Sequence, residues 1–403
     1  MNLSKAEAVS MKILMVTRES QADRRYGLGQ SLSPLIQELS RRGLATDYLC
    51  QVDLGQRAVR WQLRLHRVLS SFASMGKTST NFPMLFYVLL ERFNVGRLAA
   101  KVAVRDGYTH VHCHDPIIAA GFCFFLRFQP ACRLVWGVTE HGFGCYAQAI
   151  HEDGIHLGRH VMNGMRKWEK STLLNASWVI APTQSGIAQI ARDLEISPVP
   201  MNWYHIPHAL PKLNPYSKEE SRNRLDWNED IVYLLAVGRI APVKQFALLI
   251  QACAKLKLEK GFQLVILGDG NYDDLQKLAQ QLGFSREIIF TTTEDIGLYL
   301  CAADLYISTS ASESFGIANL EALAMGAPAI CTAVGGVPEV VGDGALLIEP
   351  ELDALIAAIQ SMLDDREFRE ATAQKGRMRA KTWPDIIKIT DIYEAIYRQV
   401  AAS

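Results

Sequence analysis

Strand-like and helix-like segments alternate along this chain, and the alternation runs through twice. In the first pass, β-branched and apolar runs predict strands over 12–17, 46–52, 109–114, 133–139, 178–181 and 203–207. Amphipathic stretches between them predict helices over 30–42, 116–127, 159–174 and 184–193, with a longer helical insert after the second strand. A polar, proline-bearing stretch, 211–230, reads as a linker. The pattern then restarts, with strands over 232–237, 262–267, 288–290, 305–308 and 329–331 and helices over 243–258, 272–282 and 317–325. The end is helical, and Trp383-Pro384 opens a last helix. Strands joined through helices must lie parallel, with helices covering both faces of the sheet. At 403 residues the chain exceeds one ordinary core and fits two. The expected organisation is a loose tail over 1–10, a first α/β domain over 11–212, a second over 213–382 and a C-terminal helix over 383–403. In such sheets ligands bind beyond the carboxyl ends of the strands.

Composition narrows the class. No run of about 18 apolar residues occurs, so no transmembrane helix is expected. Residues 1–10 carry Lys5 and Glu7 and no apolar h-region, so they do not read as a signal peptide. The eight cysteines form no CxxC pair and sit mostly in apolar runs, which fits free thiols and a cytoplasmic location. The net charge of zero hides an asymmetry. Residues 1–210 hold 23 Lys and Arg against 15 Asp and Glu, the rest the reverse excess, and all ten histidines lie in the first half. The two halves therefore meet different ligands or surfaces.

Three motifs follow strands of the second half. In Ser312-Glu313-Ser314-Phe315-Gly316-Ile317-Ala318-Asn319-Leu320-Glu321, two glutamates flank seven residues at the start of a helix. Carboxylates placed so can accept hydrogen bonds from vicinal sugar or ribose hydroxyls. The amides of Phe315, Gly316 and Ile317 are helix-start donors suited to an anion. The bland alternative for Glu321, a solvated helix charge, fits poorly with its neighbours Leu320, Ala322 and Leu323. In Val237-Gly238-Arg239-Ile240-Ala241-Pro242-Val243-Lys244, two cations flank the start of the next helix and suit a diphosphate. In Thr332-Ala333-Val334-Gly335-Gly336-Val337-Pro338-Glu339, paired glycines let the backbone approach a ligand. Gly268-Asp269-Gly270 reads as a structural turn.

These elements, in this order, resemble the retaining GT-B glycosyltransferases of family 4, and the similarity spans nearly the whole chain. The resemblance implies two Rossmann-like domains facing each other across a cleft, with the C-terminal helix returning to the first. It implies transfer of a sugar from a nucleoside-diphosphate sugar to an acceptor hydroxyl with retention, in glycan, glycolipid or cell-surface polysaccharide biosynthesis. On it, Arg239 and Lys244 hold the donor diphosphate, Glu313 touches the transferred sugar and Glu321 the ribose. Gln245 departs from the pattern, since the family usually has Gly after the Lys. The family's Gly-rich first loop looks like Tyr26-Gly27-Leu28-Gly29, which makes Gly27 and Gly29 donor-side candidates. Thr139-Glu140-His141-Gly142 would set His141 beside the donor sugar. Ile206-Pro207-His208-Ala209 matches a family turn in position but not in residues, so no role passes to His208. No metal or other cofactor is implied. The departing phosphate leaves on Arg239 and Lys244, and a front-side attack by the acceptor is the economical mechanism.

Other features remain open. His110, His112 and His114 alternate and would share a strand face; His112 and His114 are expected to approach the cleft, with His110 at the strand start. His151, Glu152, His156 and His160 lack the HExxH spacing of a zinc site. Gly27-Leu28-Gly29 begins a dinucleotide fingerprint, but Leu32 stands where its third glycine belongs, which weighs against an oxidoreductase. A non-catalytic nucleotide-sugar-binding subunit and a GT-B epimerase remain as alternatives. Arg57, Arg60, Arg64 and Arg67 share one helical face, with Trp61, Leu65, Val68, Leu69 and Phe72 adjoining. Such a helix either packs with a solvated arginine face or lies on an anionic membrane at the cytoplasmic side, near a lipid-linked acceptor.

Overall fold

The computed structural model describes residues 11–18, 28–73, 81–152, 154–256 and 261–402. The tail over 1–10 and Gly27 lie outside them. The first half runs β1 Lys12–Val16, α1 Leu28–Arg41, β2 Ala45–Leu49, α2 Gln56–Ala73, α3 Phe82–Arg105, β3 His110–Cys113, α4 Pro116–Leu126, β4 Val135–Thr139, α5 Tyr146–Glu152, α6 Arg159–Leu174, β5 Trp178–Ala181, α7 Gln184–Asp193 and β6 Trp203–His205. The second half runs α8 Lys218–Arg224, β7 Val232–Val237, α9 Phe246–Lys255, β8 Phe262–Leu267, α10 Asp273–Gln281, β9 Ile288–Thr291, α11 Ile296–Ala302, β10 Leu305–Ser308, α12 Ile317–Met325, β11 Ala329–Thr332, α13 Val337–Val341, β12 Leu346–Ile348, α14 Leu352–Asp364, α15 Arg366–Lys381 and α16 Ile386–Ala402.

The strands form two six-stranded parallel sheets, ordered β2-β1-β3-β4-β5-β6 and β12-β11-β10-β7-β8-β9. The inner strands are mostly apolar, KILMV in β1 and FQLVIL in β8, because helices cover both faces. These are two Rossmann-like domains. The strand order reverses between β1 and β3, the second and third strands of the first sheet, and between β7 and β10 at the centre of the second. Diverging connections open a crevice at such a switch point, at the carboxyl ends of the strands.

Helix starts are written into the sequence. The Asp115 carboxylate accepts from the Ile117 and Ile118 amides at 2.8 and 3.0 Å, and Pro116 follows at the first helical position of α4. Thr183 caps α7 through the Gly186 amide at 3.1 Å. Two expectations need correction. The stretch over 211–230 is not simply a linker: it carries α8, capped by Ser217, whose Arg222 is buried against Asp304 at 2.6 Å. The helix expected from 243 begins at Phe246, because Pro242–Lys244 forms a separate 3-10 turn.

The C-terminal helix α16 returns to the first sheet. Ile389, Tyr393, Ile396 and Tyr397 pack with Ile13, Met15, Leu39 and Trp178, and Arg42 bridges to Asp391 and Glu394 at 2.6 and 3.1 Å. This helix also decides the fate of the strand histidines. His110 meets the Tyr397 carbonyl at 3.0 Å, and His112 lies between the Tyr397 hydroxyl and Thr139 Oγ1, each at 2.7 Å. His112 therefore does not approach the cleft; it is sealed beneath α16, and burial lowers its pKa to about 3. Only His114, beyond the end of β3, reaches the sheet edge. Tyr397→Phe keeps the ring and removes the hydroxyl that satisfies His112. It should destabilise the protein by about 1–3 kcal/mol in urea unfolding; a change under about 0.3 kcal/mol would show the bond to be dispensable.

Candidate functional site

The glutamate pair sits on the loop and helix that leave β10, at the switch point of the second sheet. Gly316 ends the loop with φ 78°, a left-handed turn that an L side chain enters only under strain. The first amides of α12 follow that turn and have no intrahelical acceptor. Glu321, one turn on, is 2% exposed and its Oε1 has no hydrogen-bond partner. Burial pushes its pKa up to about 8. A solvated helix charge is thus ruled out: this is a buried carboxyl with an unfilled acceptor position.

The cation motif leaves β7, the neighbouring strand. Gly238 begins the turn, Arg239 is exposed, and the 3-10 turn over Pro242–Lys244 brings Lys244 Nζ onto Glu313 Oε2 in a tight ion pair. The two loops are tied by backbone: the Ala311 amide donates to the Val243 carbonyl at 2.7 Å, and Thr309 Oγ1 to the Lys244 carbonyl at 2.9 Å. Gln245, the departure noted above, adopts φ 48° and ψ 38° before α9. That conformation favours glycine, which gives the family's glycine a physical reason here. Gln245 holds the same turn without one, and its Oε1 is buried with no partner.

The paired glycines have a packing role. A Cβ on Gly335 would collide with the Glu313 carbonyl, and one on Gly336 with the Ser314 carbonyl. The Gly336 amide donates to the Glu313 carbonyl at 2.9 Å. The glycines therefore let this loop pack on the backbone of the glutamate turn. Gly268 and Gly270 pack likewise against Gly238 and Ile240, as a structural turn should.

The first domain meets the same turn. Ser314 Oγ donates to the His141 carbonyl at 2.6 Å, and Thr183 Oγ1 donates to the Ser314 carbonyl at 3.1 Å. The Glu339 carboxylate accepts from the Gln184 and Ser185 amides at 2.8 and 3.0 Å and so covers the N-terminus of α7. His208 stacks on His141, ring centroids 5.8 Å apart at 6°, and meets Phe315 edge-on at 4.8 Å. Trp383 packs on Phe315 and donates from Nε1 to the His208 carbonyl at 2.9 Å. Burial lowers the pKa of His208 to about 4 and holds His141 well below the usual histidine range.

The structure thus brings Lys244, Glu313, Glu321 and the turn over 315–317 together at one sheet end, and sets His141 directly across from them. Phe315 is buried, so only its backbone is left to meet a ligand. Gly29 is buried in the first turn of α1 rather than in a loop. Sequence gives no role to Ser314, Thr183, Glu339 or His208, although Ser314, Glu339 and His208 lie inside quoted motifs. His151 and His156 face each other at 5.5 Å, and no group of three metal-ligating side chains forms among the described residues.

Comparison with known proteins supports the same reading. The family model for glycosyl transferases group 1 matches residues 217–379, which carry every second-domain motif. A Methanocaldococcus jannaschii protein named as an uncharacterized glycosyltransferase is 30% identical over 312 residues, covering 71% of this chain and 74% of that one. The chain spans less than half the length of other curated relatives it matches, 41% and 47% in two cases. Among solved structures, sucrose-phosphate synthase from Thermosynechococcus elongatus superposes with a TM-score of 0.75 at 20% identity, covering 98% of this chain and 100% of that one. Anabaena HepE in complex with UDP-glucose gives 0.67 at 18%, covering 98% and 100%. With a relative of this identity matched over most of both chains, and the motifs assembled at one sheet end, the chain belongs to the glycosyl transferases group 1 family.

Proposed function

We propose that this protein is a retaining glycosyltransferase that takes its sugar from a nucleoside-diphosphate donor. The observation that carries the reading is Glu321, a buried carboxyl with an unpartnered oxygen on the helix that follows the Lys244–Glu313 pair. Two vicinal ribose hydroxyls are the ligand chemistry that would satisfy it. Arg239, Lys244 and the first amides of α12 would hold the diphosphate, and Glu313 the transferred sugar, with His141 on its other side. On this reading the Lys244–Glu313 pair is exchanged on binding, Lys244 turning to phosphate and Glu313 to sugar hydroxyls. The acceptor hydroxyl then attacks from the face the phosphate leaves. The bond from the anomeric carbon to phosphate oxygen breaks, the new glycosidic bond forms, and the departing phosphate takes the proton. The contacts across the cleft would exclude water and limit donor hydrolysis. The setting would be the cytoplasm, in glycan, glycolipid or cell-surface polysaccharide synthesis.

An acceptor held at a membrane is favoured by one surface. On α2, Arg60, Arg64, Arg67, Trp61 and Val68 are exposed, as are Phe82 and Phe86 at the start of α3. Leu69 is instead packed on the first-domain core, so part of the apolar stripe expected to adjoin the arginines is already used. Cations beside exposed aromatic rings suit an anionic bilayer, each cation near the surface adding about 1 kcal/mol.

Three outcomes test this function. Thermal shifts with UDP-, GDP- and ADP-sugars should single out one donor, since a ligand at 100 times its dissociation constant adds about 2.7 kcal/mol. With that donor, Arg239→Ala and Lys244→Ala should each lower turnover about tenfold to a thousandfold while the fold survives; full turnover in both would remove the diphosphate site. The second outcome concerns pH. Because the folded pKa of Glu321 is raised to about 8, the unliganded protein loses stability as pH rises from about 4.5 to 8. Glu321→Gln should therefore be more stable than wild type at pH 8, by about 2 kcal/mol or more, and equal to it near pH 4. The same variant should bind nucleoside diphosphate poorly, whereas Glu313→Ala should lose sugar transfer and keep nucleotide affinity. A Glu321→Gln protein less stable at pH 8 would mean that the carboxyl serves the fold. Third, wild type should sediment with anionic vesicles at low salt and release at high salt. A variant with Gln at positions 57, 60, 64 and 67 should stay in solution; if wild type does too, the acceptor is soluble.

A further inference from the structure

His114 is the one strand histidine that reaches the sheet edge, and nothing above gives it a task. Its Nδ1 lies 3.0 Å from His141 Nε2. Its ring also stacks on His141, centroids 5.3 Å apart at 24°, and on His112, 4.3 Å apart at 22°. Its other nitrogen, Nε2, is buried and has no hydrogen-bond partner. The two rings are thus locked together in an environment that keeps both neutral, since burial lowers both pKa values well below the ordinary one.

A neutral imidazole carries one N–H and one lone pair. The 3.0 Å contact needs one of each between the two rings, which leaves two arrangements. If His141 donates from Nε2, His114 must carry its own proton on Nε2, where it points into the protein with no acceptor. If His114 donates from Nδ1, its Nε2 is a bare lone pair. Among backbone groups, buried N–H donors are left orphaned less often than buried acceptors, and the same ordering applied to the imidazole makes the orphaned N–H the less favourable defect. The second arrangement is therefore favoured, and it fixes the partner ring as well: His141 accepts at Nε2 and must carry its proton on Nδ1.

We propose that His114 is a positioning residue that holds His141 as its Nδ1–H tautomer, so that His141 meets the donor sugar as a hydrogen-bond donor. The proposal rests on the glycosyltransferase reading for the identity of that sugar, but the hydrogen bond itself does not. His208 lies parallel to His141, ring centroids 5.8 Å apart at 6°. In this tautomer His141 has no free lone pair with which to take a proton. It can bond a sugar oxygen but cannot act as general base toward the acceptor hydroxyl, which leaves that proton to the departing phosphate.

The test is a long-range proton–nitrogen correlation spectrum of the full chain labelled with nitrogen-15 histidine, with His141 assigned through His141→Gln. The expected result is a protonated Nδ1 and a bare Nε2 on His141. A protonated Nε2 there overturns the proposal. In turnover, His114→Leu should lower kcat about tenfold to a hundredfold and leave His141 with mixed tautomers. His114→Asn, whose amide N–H can stand in for Nδ1–H, should recover most of that loss. If His114→Leu fails to fold, the wild-type spectrum and the Asn variant still decide. Wild-type turnover and an unchanged His141 spectrum in the Leu variant also overturn it. An Nδ1–H His141 in a protein that transfers no sugar from any donor would instead overturn the transferase reading and leave the hydrogen bond standing.

Discussion

The turn over 313–316 is the point on which both halves of the molecule converge. Its carbonyls accept from Gly336 within the second domain and from Thr183 of the first, and its Ser314 hydroxyl donates to His141. The buried ring of Phe315 is packed by His208 and Trp383, where the chain crosses between domains in each direction. Any movement of one domain against the other must therefore pull on the segment that holds Glu313 and starts α12. The paired glycines belong to this logic. They are required by the close approach of two backbones.

The site is also one of the places where the fold gives up stability. Glu321 is buried with an unsatisfied oxygen, and Gln245 holds a left-handed conformation with a buried unpartnered amide oxygen. Each is a local defect by the ordinary standards of a core. Both fall at the carboxyl edge of one sheet, while β7, β8 and β10 behind them are apolar and closely packed. A carboxyl that is costly when empty and satisfied when hydroxyls arrive favours the bound state by the difference. The histidine column of the first domain follows the opposite design. His110 and His112 are held by Tyr397 together with Thr109 and Thr139, and what remains for the cleft is the hydrogen-bonded pair His114 and His141.

Much of this was legible in sequence because the motifs lie at strand ends, and strand ends can be read from apolar runs. The helix over 317–325 follows directly from Gly316 and its apolar stripe, and the glutamate spacing places both carboxyls near its start. Illegible features depend on partners far along the chain. The sealing of His112 needs Tyr397, 285 residues away, so alternation alone points it wrongly to the cleft. The helix α8 hides in a polar segment and is held by Asp304 from the far end of α11. The 3-10 turn before α9 could be suspected from Pro242 but not located, since only the left-handed Gln245 separates the two helices. The contacts of Glu339 with α7 were unreadable for the same reason: the residue belongs to one domain and its partners to the other.

The central claim is that Glu321 waits as a protonated carboxyl and becomes a carboxylate when ribose hydroxyls reach it. Calorimetry of nucleoside diphosphate binding at pH 7, repeated in buffers of different ionisation enthalpy, measures that proton directly. Wild type should release more protons per site than Glu321→Gln, the excess approaching one, because hydroxyl donors favour the charged form. Equal proton release by both proteins, with equal affinity, would contradict the account.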